Sequence, residues 1–235
     1  MHRNLLRKAQ CHGGWDWGPC LMVSGVYGTM RLVATSAASL VRVWTETRQG
    51  TSGVWIVQVK ADVDAEVAGL QILSVLFDAL LPIQRKVLLV EGRQMVDFEF
   101  SVRSPKLWNP AGYGEQNFYR LEVSLGGDDW AGQIGFRTLT WESKEDSWGK
   151  SLTCVVNGRP VFAKGANWIP ADALPSAWTR ETITARLEDA AAAHMNLIRV
   201  WGGGVYESEW FYQECSRLGL LVAAGRVCHR HSGEG

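Results

Sequence analysis

The stretch Val54-Trp55-Ile56-Val57-Gln58-Val59-Lys60-Ala61-Asp62-Val63 decides the reading of the fold. Trp55, Val57, Val59, Ala61 and Val63 fall on one face, and Gln58, Lys60 and Asp62 fall on the other. This is the period-2 pattern of a strand with one face in a core. Similar runs flank it: Leu40 to Thr47, Leu70 to Phe77, Val87 to Val90, Val96 to Val102, Phe118 to Leu125 and Gln133 to Thr140. Gly, Pro and Asp turns separate the runs and no helical period interrupts them. Residues 34–142 therefore read as a seven-stranded sandwich of roughly 100 residues.

The text changes on either side of this block. Residues 1–33 hold a Gly13-Gly14-Trp15-Asp16-Trp17-Gly18-Pro19 cluster and then a short strand-like run ending at Val33, a piece too short to fold alone. After Trp141 the period switches. Val161-Phe162-Ala163-Lys164 reads as a short strand and Gly165 to Pro170 as a loop. A helix follows, capped by Thr179 and carrying Ile183, Leu187, Ala190 and Ala191 on one face. Leu197 to Val200 is a second strand, followed by Trp201-Gly202-Gly203-Gly204. A second helix is capped near Ser208, with Phe211, Cys215 and Leu218 on one face and Gly219 as its stop, and Leu220-Leu221-Val222 begins a third strand. This β-α-β-α-β order over residues 143–222 fits the start of a (β/α)8 TIM barrel, an α/β architecture following a β one. The stretch from Pro160 to Gly235 is less than a third of the roughly 250 residues of a complete barrel, so the barrel is expected to be incomplete. Residues 223–235 show neither apolar period nor cap and read as a non-native or disordered tail.

The chain has 235 residues, with 24 basic and 24 acidic side chains and a net charge of zero. A nucleic-acid partner would call for a basic excess, so none is expected. No apolar run approaches the roughly 20 residues of a membrane span, so no membrane partner is expected either. Met1 to Lys8 lacks the apolar segment of a secretory leader, which points to a cytoplasmic location. The five cysteines are scattered, with no C-x-x-C pair, and suggest reduced thiols rather than a disulfide scaffold or metal site. No metal or other cofactor is expected, and Cys228, His229 and His231 are not read as ligands. Twelve tryptophans are the compositional outlier, and several stand beside Gly, Pro, Asn or Asp. An indole in a loop offers a flat apolar face and one N–H donor, which suits the C–H face of a pyranose.

Three ordered blocks carry a resemblance. Arg7-Lys8-Ala9-Gln10-Cys11 runs into Gly14-Trp15-Asp16-Trp17-Gly18-Pro19. The second block is Phe162-Ala163-Lys164-Gly165-Ala166-Asn167-Trp168-Ile169-Pro170-Ala171-Asp172, and the third is Met195-Asn196-Leu197-Ile198-Arg199-Val200-Trp201-Gly202-Gly203-Gly204-Val205-Tyr206-Glu207. With the intervening Leu107 to Gly114 turn, they resemble the β-mannosidases of glycoside hydrolase family 2 from residue 1 to about Val222. The resemblance implies the end of a jelly-roll sugar-binding-like domain over 1–33, an immunoglobulin-like sandwich over 34–142 and the first part of the catalytic barrel over 143–222. It also implies a glycosidase acting on terminal, non-reducing β-D-mannose of β-mannoside oligosaccharides or glycosides, with retention. Asp16, flanked by Trp15 and Trp17, would bind hydroxyls of the terminal mannose. Arg199 and Trp201 would line the same subsite, with Asn167 and Trp168 at the end of the first barrel strand.

The two catalytic glutamates of the family, one of them in an Asn-Glu pair, are expected beyond this chain's end. The sequence contains no Asn-Glu dipeptide, so the chain is expected to be inactive alone. Glu207 and Glu209 read as carboxylates opening the second helix, favoured there by its dipole. Alternatives remain: a non-catalytic carbohydrate-binding module, a purely structural sandwich, or another family 2 activity such as a galactosidase or glucuronidase.

Overall fold

The computed structural model describes residues 9–21, 25–26, 28–35, 37–78 and 81–224. The chain divides into two compact units. One comprises Arg31–Trp108 and Asn117–Pro160, the other Met1–Met30, Asn109–Gln116 and Val161–Gly235. The expected breaks at 33 and 142 differ from this division. Residues 143–160 go with the strands before them, and 109–116 go with the α/β part.

The first chain segment contributes a small antiparallel hairpin, β1 (Gly13–Trp15) and β2 (Gly18–Cys20). The short strand expected up to Val33 is absent among the described residues. Met30, Leu32 and Val33 are 80%, 102% and 72% exposed, with no neighbouring strand to bury them.

The all-β unit follows. Strands β3 (Ala38–Gln49), β4 (Val54–Ala65) and β7 (Gly92–Arg103) form one antiparallel sheet, in the order β3-β4-β7. Strands β5 (Gly69–Phe77), β6 (Ile83–Leu89), β8 (Tyr119–Leu125) and β9 (Asp128–Ile134) form the other, in the order β6-β5-β8-β9. Both sheets feed one core, in which the alternating residues Val57, Val59 and Val63 of β4 meet Leu73, Val75, Leu121 and Val123. The period-2 reading of β4 is therefore the physical basis of the unit. Rings close one part of this core, with Phe77 stacked on Tyr119 and edge-on to Phe136.

One expected strand was misplaced. In place of a run from Gln133 to Thr140, β8 turns through Gly126-Gly127, both at positive φ, into β9. A two-residue glycine turn of this kind matches the twist of an antiparallel pair. The chain then breaks at Gly135, beneath Trp108, before β10 (Leu139–Glu142) starts a separate sheet. There β10 pairs with β13 (Thr153–Val156), which pairs with β14 (Arg159–Val161). Between β10 and β13 lies the small hairpin of β11 (Glu145–Asp146) and β12 (Gly149–Lys150).

The α/β unit is built on three parallel strands, β15 (Gly165–Trp168), β16 (Leu197–Val200) and β17 (Leu221–Ala224). Helices α1 (Arg180–Ala192) and α2 (Glu209–Arg217) make the crossovers. Thr179 caps α1 by accepting from the Thr182 amide, and Ile183 and Leu187 are its buried residues, as the sequence suggests. The first strand begins later than the apolar run Val161 to Lys164 indicated, because Gly165 is a strand residue rather than a loop breaker. A Cβ there would overlap the Leu197 backbone carbonyl, so only glycine lets β15 lie this close to β16. Ala223 and Ala224, expected to start the tail, belong to β17; the rest of that expected tail lies outside the described residues.

Asn196 pins the start of this sheet. Fully buried, it accepts from the Lys164 amide at 2.9 Å and donates to the Phe162 carbonyl at 3.0 Å, and its own carbonyl accepts from the Leu221 amide at 2.8 Å. Between the helices, the buried Glu214 carboxylate accepts from Arg217 at 2.7 Å and Arg180 at 3.3 Å.

Asn196→Ala leaves the Lys164 N–H and the Phe162 carbonyl without their side-chain partner. It should cost about 2–6 kcal/mol in urea denaturation, at about 1–3 kcal/mol for each of the two abandoned part-buried groups. The Arg217 hydrogen bond, ahead of the remaining Arg217 and Arg180 attractions, holds the Glu214 carboxyl below its ordinary value of 4.5. Its stabilisation is thus present above 4.5 and is lost as pH falls through the lower folded value. Glu214→Gln should lower stability by about 1–3 kcal/mol at pH 7, and the difference from wild type should shrink in melts below pH 4.5.

Candidate functional site

The β1–β2 hairpin presents Asp16 and Trp17 at its tip, because Trp15 pairs with Gly18 and leaves a two-residue connection. Trp15 and Trp17 are 42% and 50% exposed. The Asp16 carboxylate is exposed and has no hydrogen-bond or ion-pair partner among the described residues. Both indoles meet Trp201, edge-on, with ring centroids 5.0 Å and 5.8 Å apart. Each such pair contributes about 0.5–1.5 kcal/mol beyond area burial. The Cys11 amide, just before the hairpin, donates to the Gly203 carbonyl at 3.1 Å. The sequence blocks around Trp15 and Trp201, almost the length of the chain apart, thus form one aromatic cluster.

Trp201 follows directly on β16, in the glycine-rich loop. A Cβ at Gly203 would fall within the Trp201 ring, so the glycine makes room for the indole to fold back over its own loop. Two residues earlier, Arg199 donates through Nη1 to Asn167 Oδ1 at 3.0 Å, and the two are register partners on β16 and β15. Both are exposed.

Trp168 parts company with them. Consecutive strand residues point to opposite faces, and Trp168 packs towards the helix layer, tilted 5.1 Å from the fully buried Phe211. Its Nε1–H donates to Glu207 Oε1 at 2.9 Å. Burial pushes the Glu207 carboxyl above its ordinary range, and the Trp168 bond draws it part of the way back. Glu207 is therefore not the helix-opening residue read from the sequence: α2 starts at Glu209, after Ser208, and Glu207 is half-buried. No residue pattern signalled its partner, because the bond spans 39 positions.

Of the seven expected site residues, the structure gathers Trp15, Trp17 and Trp201 in direct contact, with Asp16 on the same hairpin tip. Arg199 joins Asn167, and Trp168 lies on the opposite face. No cluster of three or more His, Cys, Asp or Glu placed for a metal ion occurs among the described residues. No described helix is long and apolar enough to cross a membrane.

Comparison with known proteins places the chain among glycoside hydrolases by sequence and fold. Residues 1–28 match the family of glycosyl hydrolase 2 galactose-binding-like domains, and residues 38–137 match glycosyl hydrolases family 2. The chain carries domains of glycosyl hydrolase family 2. It is 36% identical over 228 residues to β-mannosidase B of Emericella nidulans and 32% identical over 235 residues to β-mannosidase of Rattus norvegicus. In each case the match covers 94% of this chain and 27% of the relative, so the chain spans little more than a quarter of the length of these curated relatives. Among solved structures, β-D-mannosidase from Dictyoglomus thermophilum matches with a TM-score of 0.89 and 35% identity, over 96% of this chain and 29% of that one. An exo-chitosanase from Amycolatopsis orientalis matches with a TM-score of 0.68 at 24% identity, a likeness of fold alone.

Gly203→Ala should push the Trp201 ring off the hairpin. The expected readouts are loss of the mutual ring-current shifts of the Trp15 and Trp201 indole signals and a stability cost of about 1–3 kcal/mol, as for other overpacked sites. Unchanged indole spectra would show that the loop carries a Cβ without moving the ring.

Proposed function

We propose that this chain forms part of the terminal-mannose site of a retaining β-mannosidase. The single observation that carries the proposal is the meeting of the Trp15-Asp16-Trp17 hairpin tip with Trp201, beside the Arg199–Asn167 pair. The indoles offer apolar ring surface to the C–H groups of a pyranose, and the Asp16 carboxylate, which has no partner among the described residues, offers acceptor oxygens to its hydroxyls. Arg199, held by Asn167, supplies a fixed cation at the end of a parallel strand, where sites of this architecture are built. The identity with β-mannosidases over nearly the whole chain supports mannose over other sugars.

In this reading the segment Met1–Met30 closes a jelly-roll sugar-binding-like domain. The β3-β4-β7 and β6-β5-β8-β9 sheets form an immunoglobulin-like sandwich, and β15, β16 and β17 are the first three strands of a (β/α)8 barrel. Retaining hydrolysis takes two carboxyl groups about 5 to 5.5 Å apart. The reading assigns these to glutamates outside residues 1–235, so this polypeptide holds sugar without cleaving it.

Titration of the chain with methyl β-D-mannoside and methyl β-D-galactoside, followed through the indole N–H signals, tests the reading. The mannoside should bind in preference. Asp16→Ala should weaken it about 10- to 150-fold for each charge-assisted hydrogen bond lost, with little change in melting temperature. An aryl β-mannoside should release no more aryl alcohol with the chain than with buffer. Undiminished binding in Asp16→Ala would reduce the hairpin to a structural clasp.

A further inference from the structure

The loop from Trp201 to Ser208 leaves β16 and enters α2, and Trp168 grips it at both ends. The Trp168 carbonyl accepts the Trp201 N–H at 2.9 Å, and the Trp168 indole donates to Glu207 at 2.9 Å. Between these points lie Gly202, Gly203 and Gly204, residues that cost most to order. The donor itself is fixed, because its ring rests on Phe211 in the helix-side core. Capping does not account for Glu207: Ser208 holds the cap position and Glu209 is the acidic residue in the first turn. A half-buried carboxylate away from its helix persists because it is hydrogen-bonded, and the Trp168 indole is that partner.

We infer that Glu207 is a positioning residue, whose bond from Trp168 closes the glycine-rich loop and so holds the Trp201 ring against Trp15 and Trp17. Without it the loop keeps the Trp201 amide near its start, the Cys11 to Gly203 bond at its middle and the Tyr212 hydrogen bond with the Glu207 backbone, but loses the one side-chain tie between its C-terminal half and β15. The geometry stands by itself. Only its consequence for a sugar ligand rests on the β-mannosidase reading.

The test uses the whole 235-residue chain as wild type, Glu207→Ala, Glu207→Gln and Trp168→Phe. Two readouts are taken: the Trp15–Trp201 nuclear Overhauser contacts with their indole shifts, and binding of methyl β-D-mannoside. Glu207→Ala should lose the contacts and weaken the mannoside about five- to ten-fold, a loss in the range of one hydrogen bond. Glu207→Gln, whose amide oxygen still accepts the indole N–H, should restore both. Trp168→Phe keeps an aromatic ring but deletes the donor, so it should behave as Glu207→Ala, and it decides the matter if Glu207→Ala does not fold. Contacts retained in the alanine or phenylalanine variant, or a glutamine variant as damaged as alanine, would overturn the inference. A wild type that shows the expected indole behaviour but does not bind mannoside would sink the substrate reading and leave the positioning role supported.

Discussion

The α/β unit depends on the buried amide of Asn196. It bonds backbone groups on both sides of Ala163 before β15, while its main-chain carbonyl takes the first amide of β17. These contacts set the register in which Gly165, Leu197 and Leu221 lie level. Side chains alternate along a strand, so a slip of one residue would exchange the faces. Asn167 and Arg199 would then turn towards the helices, and Trp168 and Val200 would turn out. The outward placement of Asn167 and Arg199 follows from that register.

With the register set, the two faces divide the work. Ile198, Val200, Val222 and Trp168 pack with Ile183, Leu187, Phe211 and Cys215 of the helices. Burial raises the Cys215 thiol to about 12, so it is an inert packing group rather than a nucleophile. The opposite face carries the exposed Asn167–Arg199 pair. Trp168 uses its one side-chain donor on Glu207. The exposed Asp16 carboxylate has no hydrogen-bond or ion-pair partner among the described residues.

Two glycines of the α/β unit act by absence of bulk. At Gly165 it admits the Leu197 carbonyl, and at Gly203 it admits the Trp201 indole. The first looks like a loop breaker in the sequence and proves to be a strand residue. The spacing of apolar residues cannot report a steric demand made by a segment 32 positions away.

The sequence by itself determined the sandwich and the helices, because both are written in local periods. The alternation of Trp55, Val57, Val59, Ala61 and Val63 names its own buried face, and Thr179, Ile183 and Leu187 name the start and inner face of α1. The motif blocks also carried the family and its candidate residues. Tertiary structure alone decided which of those residues meet. It joined Trp15 and Trp17 to Trp201, set Arg199 beside Asn167, turned Trp168 away from them and gave Glu207 a partner. Those outcomes depend on strand register and on close approach between distant segments, and neither leaves a periodic trace along the chain.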